Sequence, residues 1–259
     1  MMISISGRPP EEQGIRAIHA ALESGATLID TADVYCLDDN DIGHNERLIA
    51  RALKSWPGSR EGIVVATKAG LTRPDGRWER DGRPEHIRTA CDCSLKALGV
   101  DRIDLYQYHA PDSAVPFEDS DGAFAELQRQ GKVRWIGLSN VSVKQIEQAS
   151  RMVTVVTVQN RLNPFFREAL KPEHLLGRSV VDHCSRNGIG FLAYSPVGGG
   201  RLNKKLPNNP VLVPIAREHG VSAHAVTIAW VLSKGPTVIP IPAGRDPEHV
   251  RDSMKAADI

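Results

Sequence analysis

No stretch of this chain is long and apolar enough to cross a bilayer. Its opening, MMISISGRPPEEQ, lacks the cationic start and apolar centre of a secretory signal. Charge of one sign is also missing. The 32 Lys and Arg are balanced by 31 Asp and Glu with no basic block, which argues against nucleic acid or an anionic membrane as the main partner. Cysteine is scarce and scattered, at Cys36, Cys91, Cys93 and Cys184, so a disulfide framework is not expected. Free thiols in a reducing, cytoplasmic compartment fit better. Cys91 and Cys93 stand at i and i+2 of a helical pattern and point to different faces, which argues against a shared metal. The nine histidines show no HxH or HExxH spacing, so no metal site is expected. Linker-like composition and low-complexity tracts are absent as well, which predicts one domain over residues 1–259.

What the chain does contain is a nearly unbroken alternation of strand-like and helix-like segments. Helix 11–24 places Ile15, Ile18 and Leu22 on one face and precedes strand 27–32. Helix 44–55 follows, with Asn45 as a cap for its start. Then come strand 63–69, helix 85–98, strand 103–109, helix 117–130 and strand 133–139. The second half reads as helix 143–150, strand 153–159, helix 172–187, strand 189–195, helices 209–219 and 223–233, strand 237–242 and helix 247–256. The strands are Val/Ile/Leu runs, as parallel strands covered on both faces should be. Such alternation predicts a parallel α/β sheet, doubly wound or closed as a (β/α)8 barrel, and polar residues at strand after strand favour the barrel.

GIGFLA at 188–193 has the glycine spacing of a dinucleotide fingerprint. That fingerprint needs a strand before its glycines and a helix after them. Here a helix precedes and FLAYSP continues as strand, so the glycines read as a helix stop and a tight turn.

The chemistry concentrates where apolar runs end. TLIDTADVY, IVVATKAG and IDLYQYHAPD deliver Asp30, Tyr35, Lys68 and His109 to one rim. A carboxylate, a phenol, an ammonium and an imidazole together can hold a proton donor beside a reacting carbonyl oxygen. An ammonium beside the phenol favours tyrosinate and so is expected to lower the tyrosine pKa. Taken singly, Asp30 and Lys68 read as a buried ion pair, His109 as a satisfied strand-end histidine, Asn140 as a helix cap and Tyr194 as core. Their joint occurrence carries the functional reading.

The ordered series GATLIDTADVY, GHNERLIARAL, VVATKAG, DLYQYHAPD, GKVRWIGLSN, VTVQN, GFLAYSPVGGGRL and VIPIPAGRDPEHV resembles the aldo-keto reductases from about residue 11 onward. These are (β/α)8-barrel oxidoreductases that use NADPH without a Rossmann domain. The resemblance implies a small-molecule carbonyl as substrate, with Tyr35 as proton donor, Lys68 and Asp30 as the ion pair beside it, and His109 orienting the substrate oxygen. It implies that Ser139, Asn140 and Gln159 hold the nicotinamide carboxamide and that Tyr194 stacks on the ring. Ser195 and the VGGGRL segment, with Val197, Gly198 and Arg201, match the loop crossing the pyrophosphate. Gly244, Arg245 and His249 match the adenosine 2′-phosphate site, and Arg245 favours NADPH over NADH. Two other readings keep the barrel: Lys68 as a Schiff-base nucleophile of aldol chemistry, and a non-catalytic NADPH-binding regulatory subunit.

The chain departs from the pattern in places. Cys36 stands where glycine usually follows the tyrosine, and an acidic loop with Asp38, Asp39 and Asp41 comes next. His249 and Ser253 replace the more usual phosphate-region residues. Only seven strands are recognisable, since none precedes the opening helix, and the variable tail after KAADI is not seen. Seven strands leave two open edges, beside 27–32 and 237–242, with ISIS as the only local filler. The expectation is a chain that folds poorly or acts weakly unless something replaces the first strand.

Overall fold

A computed structural model of the chain describes residues 2–173 and 176–259. The first half comprises α1 (Glu11–Glu23), β1 (Leu28–Asp30), α2 (His44–Ser55), β2 (Val64–Ala69), a hairpin of β3 (Leu71–Thr72) and β4 (Glu79–Arg80), α3 (Pro84–Leu98), β5 (Ile103–Tyr108), α4 (Phe117–Arg129) and β6 (Val133–Ser139). Then follow α5 (Val143–Ala149), β7 (Val155–Arg161), α6 (Val180–Arg186), β8 (Gly190–Tyr194), α7 (Gly199–Leu202), α8 (Leu212–His219), α9 (Ala223–Leu232), β9 (Val238–Ile241) and α10 (Pro247–Met254). Each predicted helix and strand has its counterpart. Predicted helix 172–187 is shorter, beginning at Val180, and positions 174 and 175 lie outside the described residues.

Local chemistry sets several boundaries. Proline opens α3 at its first position and Gly99, with φ +65°, closes it in the left-handed region. Ser142 with Gln145, and Ser179 with Asp182, form capping boxes that start α5 and α6. Asn140 is therefore not the cap of α5. Nor does Asn45 cap α2: the capping position is Gly43, and the Asn45 side chain is buried in other work.

The sheet is wholly parallel in the order β1-β2-β5-β6-β7-β8-β9, a nearly closed barrel of seven strands. Because side chains alternate along a strand, residues 64, 66 and 68 share one face of β2, as do 28 and 30 on β1 and 105 and 107 on β5. Ala66, Leu105 and Leu192, with Leu28, Val64 and Trp135 against them, form one apolar cluster. Above it the same faces carry Asp30, Lys68 and Gln107. The larger core lies between the sheet and the helices, where Ile87, Tyr106, Phe124, Ile136, Ile146, Val158 and Phe191 belong to one buried cluster.

β1 and β9 are the two edges of the sheet, and a cleft of about 250 Å³ lies between them, lined by 27–30 and 239–244. Outside it, α1 and α10 pack together through Ala17, Ala20, Ala21 and Val250, so the helical layer continues across the gap. The ISIS segment does not fill it as a strand. Ile3 is buried instead among Ile18, Leu48 and Ile49, between α1 and α2. Asn45 Oδ1 accepts from the Ile3 N–H (3.1 Å), the Ser4 N–H (3.2 Å) and the Ser4 hydroxyl (3.0 Å). Turn geometry with these local anchors has won over β pairing.

Candidate active site

The carboxyl ends of the strands open into a cleft of about 720 Å³ lined by residues from both halves of the chain. At its floor Lys68 is fully buried, and its ammonium has three acceptors: Asp30 Oδ2 at 2.7 Å, the Thr31 carbonyl at 2.6 Å and the Tyr35 oxygen at 3.2 Å. Three N–H bonds meet three acceptors, so the phenol's own proton is directed away from Lys68. Asp30 Oδ1 accepts from Gln107 Nε2 (3.0 Å) and Gln159 Nε2 (2.8 Å), which locks the carboxylate from its other side. The strand order explains the convergence, because Lys68 and Gln107 are register partners on β2 and β5.

Burial penalises the Asp30 carboxylate, but the Lys68 charge and the hydrogen bonds from Lys68 and Gln159 outweigh it and hold the group below the usual range. Burial likewise disfavours the Lys68 ammonium, and Asp30 and Tyr35 reverse the sign, so the lysine stays charged. Tyr35 corrects the sequence expectation. Burial raises its pKa, and the Lys68 ammonium, neutralised by Asp30, pulls it down too little to cancel the rise. The phenol therefore stays protonated at neutrality.

His109 stands edge-on to Tyr35, with ring centroids 5.7 Å apart. Burial, aided by the Lys68 charge, lowers its pKa to about 3, so the ring is neutral. Since the unfolded histidine takes up its proton near 6.5 and the folded one only near 3, stability is lost as pH falls through that window. We expect each pH unit from about pH 6 downward to cost up to about 1.4 kcal/mol through His109. His44 and His183 are shifted in the same direction, so the check is a comparison. Urea unfolding at about pH 5 and pH 7 should show a shallower pH dependence for His109→Asn than for the unaltered chain. Equal slopes would assign the acid sensitivity elsewhere.

The cofactor candidates fall in three places. Ser139, Asn140, Gln159 and Tyr194 line the cleft. Asn140, with φ +59°, donates to the His109 carbonyl (2.9 Å) and to Ser139 Oγ (3.1 Å), while its Oδ1 accepts from the Tyr194 hydroxyl (2.9 Å). Ser195 and Val197 also line it, and Ser195 takes the left-handed region at φ +50°. Gly198 and Arg201 are not among the lining residues; Gly199, Gly200, Asn203 and Lys204 are. Gly244, Arg245 and His249 line the far flank. A Cβ at Gly244 would stand 2.3 Å from Val250 Cγ2, so only glycine fits there. The Arg245 guanidinium donates to the Gly7 carbonyl (2.6 Å) and the Ser6 carbonyl (3.1 Å), tying the N-terminal segment to the cleft.

Sequence reasoning missed several participants. Gln107 was legible only as one polar residue within a strand. Buried Asp33 accepts from the Val34 N–H (2.7 Å), and its carbonyl accepts from Gly43 (2.8 Å), which holds the turn carrying Tyr35. Burial, reinforced by Glu46, pushes its carboxyl well above the ordinary range. Met2, Ile5 and Trp78 line the cleft without any periodic signal to announce them.

The family model described as "Aldo/keto reductase family" matches residues 1–259. The chain belongs to this family. It is 33% identical over 261 residues to "Probable aldo-keto reductase 1" of Glycine max, covering 90% of this chain and 71% of that one. Among solved structures, the glycerol dehydrogenase of Gluconobacter oxydans superposes with a TM-score of 0.78 at 31% identity, over 95% of this chain and 81% of the other. An aldo-keto reductase from Klebsiella pneumoniae in complex with NADPH gives a TM-score of 0.76 at 25% identity, over 96% and 80%. No helix among the described residues is long and apolar enough to cross a membrane.

Proposed function

We propose that the chain is an NADP-dependent oxidoreductase that reduces aldehydes or ketones to alcohols, with Tyr35 delivering the proton. The observation that carries this reading is the Lys68 ammonium saturated by Asp30, Thr31 and the Tyr35 oxygen, which leaves a protonated phenol facing a neutral imidazole. When bound, NADPH supplies the hydride that reduces the carbonyl carbon. Tyr35 gives its proton to the carbonyl oxygen as negative charge develops there. The Lys68 charge stabilises the tyrosinate that results, and Asp30 holds the lysine in place.

The donors and acceptors left over suit the cofactor. Gln159 Nε2 is spent on Asp30 and Gln107, which leaves its Oε1 as an acceptor. Ser139 Oγ accepts from Asn140, which leaves its hydroxyl proton as a donor. That pair complements a carboxamide. Glycines 199 and 200 with Lys204 and Arg245 suit phosphates. An aldol role for Lys68 is disfavoured, because a fully bonded, fully buried ammonium offers no free amine.

The test is oxidation of NADPH against a panel of aldehydes and ketones, with cofactor binding measured in parallel. Tight binding without turnover across the panel would overturn the enzymatic reading in favour of a regulatory subunit. Arg245→Ala should weaken NADPH by about 1.5–3 kcal/mol more than NADH, the value of a charge-assisted contact. Freeing Ser6 and Gly7 affects both cofactors alike, so their difference isolates the 2′-phosphate. Equal losses would remove Arg245 from that site.

A further inference from the structure

We propose that Arg73 and Trp78 form a stacked wall that selects carbonyl compounds bearing an uncharged aromatic or apolar group. The inference rests on the reductase reading and adds its substrate class. The β3–β4 hairpin leaves β2 directly after Lys68, Ala69 and Gly70, so it rises from the same rim as the proton donor. Its turn is closed by Gly76 N–H to the Arg73 carbonyl (3.0 Å) and Arg77 N–H to the Pro74 carbonyl (2.9 Å). Trp78 lines the cleft yet is 48% exposed, a large apolar face held open to the cleft and its surroundings. Such a surface is covered at little cost by a ligand of matching chemistry.

Two sets of contacts hold the indole there. The Arg73 guanidinium lies 4.0 Å from the ring centroid, a cation–π stack. Arg73 is itself buried, and its Nη2 donates to the Cys36 carbonyl (3.3 Å) and the Leu37 carbonyl (3.1 Å). The hairpin is thereby tied to the residues that immediately follow Tyr35. The indole also meets Tyr35 and His109 edge-on, each with centroids 6.4 Å away. With the Tyr35–His109 contact, three rings make a triangle around the place where the carbonyl is protonated. Leu71, Met2 and Ile5 also line the cleft.

Charge recognition lies elsewhere. Among the described residues lining the cleft, the lysine and arginine are Lys204 and Arg245, which come from the β8 and β9 side with the phosphate-suited glycines. Arg73 does not line the cleft; its guanidinium stacks on the indole and donates to the Cys36 and Leu37 carbonyls. Arg73 is therefore a positioning residue that acts through Trp78.

The experiment compares kcat/KM for benzaldehyde, propanal and 4-carboxybenzaldehyde with NADPH. Trp78→Ala should lower the benzaldehyde-to-propanal ratio by about tenfold or more, and Trp78→Phe should keep it within about threefold. Arg73→Met should lower the ratio about fivefold, chiefly through KM, and Arg73→Lys, which keeps a cation, should recover part of it. If Arg73→Met does not fold, the two Trp78 variants carry the test. An unchanged ratio in Trp78→Ala overturns the inference while leaving the reductase reading intact. A preference for 4-carboxybenzaldehyde that Arg73→Met removes would also overturn it, since the guanidinium would then be reading charge. No turnover of any of the three by the unaltered chain sinks the reductase reading and this inference with it.

Discussion

Tyr35→Phe is expected to lower carbonyl reduction by about 10²–10⁴-fold, the usual cost of removing a general acid, with NADPH affinity nearly unchanged. The substitution removes one oxygen and keeps the ring. That ring packs with Val34, Leu71 and Ala110 and meets His109 and Trp78 edge-on, so the fold and the cleft wall persist. Lys68 loses one acceptor of three and keeps Asp30 and the Thr31 carbonyl. Neither ionisable partner of the phenol, His109 or Lys68, is equipped to take over. His109 is neutral because burial lowers its pKa to about 3, and a neutral imidazole N–H is a poor acid. Lys68 is held charged by Asp30, so surrendering a proton would take the ammonium charge away from a buried carboxylate. Retention of more than about a tenth of the turnover would reassign the acid and remove Tyr35 from that role.

How far this site could be read in advance depends on how local its signal is. The strands and Asp30, Lys68 and His109 were legible because a buried run that turns polar at its end is a property of a few consecutive residues. The ordered series of such ends then carried the family. What stayed hidden depends on residues far apart in sequence. Arg245 bonds to Ser6 and Gly7 across the whole chain, and no local pattern announces that. Asn45 looks like a helix cap by position but serves Ile3, Ser4 and the Thr31 hydroxyl instead. Trp78 sits in a polar, Gly- and Pro-containing stretch that reads as an ordinary loop until the hairpin turns it over the rim. The direction of the Tyr35 shift is hidden from the sequence for a related reason. The ammonium and its Asp30 partner can be inferred from sequence, whereas the depth of burial that outweighs the ammonium emerges only from the fold.

Lys68→Met is expected to abolish turnover to a similar degree and, unlike Tyr35→Phe, to destabilise the fold by about 3–5 kcal/mol. Methionine fills much of the lysine volume, so the loss is electrostatic. Asp30 would remain buried with hydrogen bonds from Gln107 and Gln159 but without the Lys68 ammonium. Its carboxylate, now held below the usual range, would move above it, because burial would act with its main opponent gone. The sign of the pH dependence follows. A carboxyl whose folded pKa exceeds its unfolded value of 3.8 favours folding when protonated, so the variant's deficit should shrink in acid and grow toward neutrality. Denaturant unfolding of both proteins from about pH 4 to pH 8 measures this directly. Adding Asp30→Asn to Lys68→Met removes the buried charge that has lost the Lys68 ammonium and should recover much of the stability, since replacing both members of the pair costs far less than removing one. Turnover should not return with it, because the ammonium that stabilises the developing tyrosinate is still missing. Recovery of both stability and turnover in the double variant would show that Lys68 supports the fold alone, and the proton-delivery assignment of the ion pair would be wrong.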